Sequence, residues 1–338
     1  MLAGADSFLD MERFGRAKQS WFGSFLKLEN GIPSHDTFLR VFAALDPKEF
    51  AECFMKWTQA VRRQVEREVV AIDGKTVRRS FDRHKGQEAI HMVNAWASDN
   101  GLALGQVKVD DKSNEITAVP QLLRALELEG CIVTLDAMGC QKNIAKEICE
   151  ADADYVLALK GNHEVVHEKV ASFLQDARQK NWKKVPHDFL ETVEKGHGRI
   201  ETRRYWITEK IDWFADRSKW EGLHSVGMVE SIRRIGESSS SETRFFLCSL
   251  KADAKEFARA VRGHWNIENN LHWVLDVCFR EDQCRARAGH AAQNLAVLRQ
   301  IVLNTLKRDT SKDGIKGRQK TAGWNDSYLQ RLLGNLNA

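Results

Sequence analysis

The chain has 338 residues, 43% of them hydrophobic and 29% charged, with a formal net charge of +4. That length admits two domains, or one domain with an insertion, and the apolar content supports a sizeable core. Disorder and a disulfide-stapled miniprotein are excluded, and no window reaches the ~18 consecutive apolar residues of a spanning helix. The start, MLAGADSFLDMERF, lacks a basic n-region followed by an apolar run, so no signal peptide is read and a cytoplasmic location is expected. Seven cysteines without a CxxC pair favour reduced thiols over a disulfide framework or a zinc knuckle.

Charge distribution says more than the total. Between Arg280 and Lys320 ten Lys/Arg face four acids, a balance of +6. A second basic cluster runs through Arg62, Arg63, Arg67, Lys75, Arg78, Arg79, Arg83 and Lys85. Solvated helix faces produce such clusters, and so does a polyanion-binding surface.

Residues 1–64 read as helical, with Phe8, Met11, Phe14, Trp21, Phe22, Phe25 and Leu26 at roughly helical spacing. Ser34 is the expected N-cap of a helix near 35–45, and Asp46-Pro47 starts another. Such a pair can be a helix-turn-helix, although most are only packing units. From residue 68 the texture changes. VVAID, then 89–98 and 102–109 around an Asp-Asn-Gly turn, read as three strands. A helix (117–129), a strand ending at Asp136, a helix (141–151), a strand through 155–160 and a helix to about 180 follow. This order predicts an α/β fold with a mixed sheet flanked by helices. Residues 183–250 look like a β-rich insertion, with 238–241 as a surface loop. Helical periodicity returns at 252–278 and 291–306, and the end of the chain reads as a polar tail.

Two apolar strands, VVAIDGKT and IVTLDAMG, deliver a carboxylate at their C-terminal ends, each followed by a glycine that would let a ligand approach the backbone. One strand-end aspartate usually caps a turn. Two in one sheet repel unless a cation neutralises them, and hard oxygen donors suit Mg²⁺ or Mn²⁺. Farther along, His264, Glu268, His272 and Asp276 recur every fourth residue, one stripe of a helix. A solvated face with i,i+4 pairs is the ordinary explanation, but the segment is rich in Trp, His and Asn. HExxH is absent, which argues against a zinc site.

These residues also carry a family resemblance. NGIPSHDTF (30–38), AIDGKTVR (71–78), KSNEITAVPQLL (112–123), DAMGCQKNIA (136–145), ALKGN (158–162), HGRIETR (197–203) and HWNIENNLHWVLDVCFREDQCRAR (264–287) resemble the H-repeat-associated transposases of bacterial Rhs elements, insertion-sequence enzymes of the DDE superfamily. The resemblance covers nearly the whole chain. It implies a ribonuclease H-like core over 65–310 and an N-terminal helical transposase-associated domain over 1–64, expected to be shortened at its start, with a polar tail over 311–338. It also implies that Asp73, Asp136 and Glu268 are catalytic and hold two Mg²⁺ (or Mn²⁺) ions ~4 Å apart, activating water and then a freed 3′-hydroxyl for in-line attack. The acids are 63 and 132 residues apart, the second interval holding the insertion.

In the wider superfamily the Glu is accompanied by Tyr, Arg and Lys. Here those positions carry Val261, His264 and Leu275, so Lys75, Lys160, Arg199 or Arg280 would supply charge to the DNA, with Arg285 and Arg287 as further phosphate contacts. Trp265 and Trp273 could stack a frayed base, although core packing is the commoner role. The expected partners are double-stranded DNA, at element ends and target, and a second copy of the chain in a nucleoid-associated complex, with no membrane. Alternatives are a cleavage-only nuclease of the same fold and a catalytically silent DNA-binding remnant.

Overall fold

The computed structural model describes the chain except residues 83–85, 111–112, 197 and 337–338. Arg83, Lys85, Lys112 and His197 lie outside the described residues. The helical N-terminal segment holds α1 (Phe8–Ala17), α2 (Gln19–Gly23), α3 (His35–Ala44) and α4 (Pro47–Val61). Then come β1 (Val69–Thr76), β2 (His91–Ala97), β3 (Leu102–Lys108), α5 (Glu115–Ala125), β4 (Ile132–Leu135), α6 (Lys142–Glu150), β5 (Asp154–Leu159) and α7 (Glu164–Gln179). Four longer strands follow: β6 (Asp188–Gly196), β7 (Arg199–Thr208), β8 (Ser225–Ile235) and β9 (Ser238–Cys248). The chain ends with α8 (Ala254–Ile267), a π-helical turn (Glu268–His272), α9 (Trp273–Cys278), α10 (Ala291–Lys307), α11 (Ile315–Trp324) and α12 (Asp326–Gly334). The sheet is mixed, in the order β3-β2-β1-β4-β5-β9-β8-β7-β6. No described helix is long and apolar enough to cross a membrane.

The chain divides into two compact units. The first comprises Met1–Gln64, Gly74–Asn114 and Ile267–Ala338. Its helices start where side chains satisfy the orphan N–H groups of the first turn. The Ser34 hydroxyl accepts from Thr37 N, and Asp46 Oδ1 accepts from Lys48 N and Glu49 N at 2.8 and 3.1 Å, with Pro47 just inside the helix. The α3–α4 pair is fastened by α10, whose Asn294 Nδ2 donates to the carbonyls of Phe42 and Leu45 at 2.9 Å each. α10 is buried along most of its length, and several of its polar groups find partners. Gln300 Nε2 donates to Asn94 and Gln106 of the β2–β3 hairpin, and Asn304 bonds both the N–H and the carbonyl of Ala103.

The second unit comprises Val65–Asp73 and Glu115–Asn266. Here β1, β4 and β5 run parallel, and β9, β8, β7 and β6 continue the sheet antiparallel from β5. The expected β-rich insertion is thus an extension of the same sheet. One end of it is buried against α8 through Tyr205, Ile207, Val229, Phe246 and Phe257. Arg67 pins the start of this unit, donating to Glu256 of α8 and to Asp154 of β5 at 2.5–2.9 Å.

Two expectations need correction. Residues 238–241 are not a loop but the first part of β9. Ser238 pairs with Ile235 across a two-residue turn at Gly236 (φ +55°) and Glu237, so the serines are exposed strand residues. The stretch from 311 is polar in sequence but forms α11 and α12. Only Gln319 and Ala322 of α11 are buried, and Gly317 and Gly323 lie within it, so no apolar stripe marks it.

Candidate metal centre

The two strand-end aspartates come from adjacent parallel strands. β1 and β4 pair from Val69↔Ile132 to Ile72↔Leu135. Strands in a sheet lie ~4.8 Å apart, and the next residue on each chain is Asp73 and Asp136. Asp136 Oδ1 accepts from the backbone N–H of Met138 (2.9 Å) and Gly139 (3.3 Å). That is the turn-capping role, and it involves one oxygen while orienting the carboxylate. Gly139 was expected to let a ligand approach. Instead its turn folds back on its own strand, where a Cβ would stand 2.4 Å from Leu135 Cδ2. Close by, burial and then the Asp136 charge push the Cys140 thiol up to about 12, so it is no nucleophile near neutral pH.

α8 approaches β1 closely because residue 263 is glycine. A Cβ there would lie 2.6 Å from Val69 Cγ1. Gly263→Leu is therefore expected to cost ~1–3 kcal/mol through overpacking. Urea unfolding measures this, and an unchanged midpoint would mean that the helix–strand contact is loose. One residue on, His264 Nδ1 lies 3.1 Å from Thr134 Oγ1, two residues before Asp136. Glu268 follows one turn later, where the helix widens into the π-turn. Such turns insert a residue into an α-helix and recur at functional sites. The stripe expected from four-residue spacing is therefore interrupted at Glu268.

Three metal-type donors stand at these element ends: Asp73 near the end of β1, and Glu268 and His272 on the π-turn. Asp73 is half-buried, Glu268 exposed and His272 buried, with His272 Nδ1 3.9 Å from Glu268 Oε2. Asp136 is related to Asp73 by the strand register. His272 was noted in the sequence only as part of the stripe.

Asp276, the last member of the stripe, meets a cation. Its Oδ1 accepts from Lys75 Nζ at 2.7 Å. Lys75 also pairs with Glu281 (3.2 Å) and Asp282 (3.5 Å), and its side chain is 8% exposed. Beyond it, Arg299 reaches Glu281 at 3.5 Å and Arg78 reaches Asp282 at 3.2 Å, so three cations face three carboxylates. Lys75 was expected to meet DNA phosphate. It is instead buried under acids and is corrected to an internal role.

The other cations expected to contact DNA differ in availability. Lys160, Arg280 and Arg285 are exposed; Arg280 bonds Gln283, and Arg199 pairs with Glu201 at 2.9 Å. Arg287 lies over the Phe81 ring at 5.0 Å. The +6 balance of 280–320 does not all reach the surface. Arg299 is buried, Lys307 covers the Trp96 ring at 5.0 Å, and Arg318 bonds backbone carbonyls of Leu306 and Ser311. Trp265 and Trp273, for which core packing was the commoner expectation, are 43% and 58% exposed. Arg244 stacks on Trp265 at 5.0 Å.

Comparison with known proteins shows the family. The family described as "Transposase DDE domain" matches residues 64–305, and the domain associated with it matches residues 1–58. "Putative transposase YncI" of Escherichia coli O157:H7 is 41% identical, covering 98% of this chain and 86% of the relative. "H repeat-associated putative transposase YhhI" of Escherichia coli K12 is 37% identical, covering 98% of this chain and 89% of the relative. Among solved structures, a piggyBac transposase synaptic complex with hairpin DNA overlaps at a TM-score of 0.45 and 11% identity, covering 98% of this chain and 71% of that one. By its family match and its relatives, the chain belongs to the DDE-domain transposases, in the H repeat-associated group.

Proposed function

We propose that this chain cuts DNA at the ends of an insertion sequence and joins the freed 3′ ends to target DNA, with Asp73, Asp136 and Glu268 as the catalytic, metal-holding acids. The observation that carries the reading is the register of β1 and β4, which delivers Asp73 and Asp136 to the same end of neighbouring parallel strands. The order β3-β2-β1-β4-β5, a meander followed by parallel strands, supports a ribonuclease H-like core.

The donor set fits a hard divalent cation. It is rich in carboxylate oxygen, one Asp136 oxygen is held by backbone N–H groups, and His272 adds a nitrogen that Mn²⁺ accepts more readily than Mg²⁺. When bound, such ions supply an activated water and charge stabilisation at the leaving oxygen. The chain's own part is to orient. The turn after β4 aims Asp136, and the His264–Thr134 contact fixes the helix one turn before Glu268.

Arg285 and Arg287 are proposed to bind phosphates in duplex DNA, with Lys160, Arg199 and Arg280 as further contacts. Replacing both Arg285 and Arg287 with Ala is expected to flatten the slope of log affinity against log salt by about two units, since each phosphate contributes ~0.9. Titration over a salt series checks this. An unchanged slope would return the stretch to an idle face. The function itself is tested by incubating the chain with DNA carrying the element ends and a labelled target. Joined products support the proposal, and cleavage without joining of pre-cut ends would leave a nuclease.

A further inference from the structure

The sequence after Asp73 contains a buried lysine that neither the metal chemistry nor the DNA contacts use. Lys75 lies two residues beyond Asp73 on β1, and side chains two apart on a strand share a face. Its ammonium is 2.7 Å from Asp276, on α9, which continues without a break from the π-turn holding Glu268 and His272. Glu281 and Asp282, just past that helix, close the other sides at 3.2 and 3.5 Å. One buried group thus ties the strand just after the first acid to the helix just after the third.

We propose that Lys75 is a positioning residue for the metal centre, acting through Asp276 and Glu281 to set where the helix carries Glu268 and His272. The inference rests on the metal reading above. Burial of charge by itself favours no fold, because apolar side chains of similar size would stabilise as well. What an ammonium among three carboxylates adds is a fixed distance and direction between the two chain segments. Groups that support metal ligands from behind typically govern metal affinity by ~10–100-fold.

The test is Mn²⁺ binding to the full chain without DNA, followed by calorimetry, with Asp73→Asn as the variant lacking a ligand. Lys75→Met and Asp276→Asn are expected to weaken Mn²⁺ binding by ~10–100-fold. Lys75→Arg should recover part of the loss, DNA affinity should stay unchanged, and cleavage by Asp276→Asn should return at high Mn²⁺. Asp276 is half-exposed, so its variant carries the test if Lys75→Met does not fold. Wild-type metal affinity with a lowered melting temperature alone would make Lys75 merely structural and overturn the proposal. Wild-type metal affinity with weakened DNA binding would make it a DNA contact and also overturn it. If the wild type binds no Mn²⁺ that Asp73→Asn removes, the metal reading itself fails and the proposal falls with it; the two failures are distinguishable.

Discussion

Asp73→Asn is expected to reduce cleavage of element-end DNA by at least ~10³-fold while leaving DNA affinity within about twofold. A bound metal supplies several kcal/mol of charge stabilisation at the reacting phosphate, and ~4 kcal/mol corresponds to about 10³ in rate. DNA affinity, by contrast, comes mostly from phosphate contacts with Lys and Arg. The substitution keeps size and hydrogen-bonding capacity but removes the charge that draws a cation. Glu268→Gln should behave alike. Gel-shift binding beside a cleavage time course, with circular dichroism as the control for folding, separates the roles. Parallel loss of binding and cleavage in a folded variant would make these acids structural.

The second large effect concerns stability. Glu281 is 2% exposed and faces Lys75 at 3.2 Å and Arg299, itself 1% exposed, at 3.5 Å. Glu281→Ala would strand one cation outright and weaken the hold on another. Breaking a buried pair from one side costs ~3–5 kcal/mol, because the remaining charge has lost its partner and cannot regain water. At roughly 2–4 °C per kcal/mol for a larger domain, the melting temperature should fall by on the order of 10 °C. Scanning calorimetry checks this. A loss below ~1 kcal/mol would mean that water reaches the cluster and screens it.

Much of the site was legible because its parts are local. A short apolar strand ending in Asp announces itself twice, and the alternation with helices marks a mixed sheet, but that β1 and β4 are neighbours is seen only in the structure. The strands of the β-rich extension were equally readable from their composition, although not the fact that they lengthen the central sheet, since that depends on which edge β9 meets. The π-turn was hidden because a four-residue repeat assumes a regular helix. Lys75 was misread because sequence shows a cation beside a strand-end acid but not three carboxylates contributed from about 200 residues away. Arg299 and Arg318 counted toward a basic surface for the same reason: formal charge ignores burial. α11 gave no signal, since a helix with two glycines and almost no apolar face has no periodicity to read.

The most direct measurement is incubation of the chain with a DNA fragment bearing the flanking element ends, with and without Mg²⁺, and mapping of the cut strands. The account predicts cuts at the element ends that leave free 3′-hydroxyls, appear only with Mg²⁺ or Mn²⁺, and vanish on chelation. Cutting that persists under chelation, or ends that are bound but left intact in the presence of either ion, would contradict it.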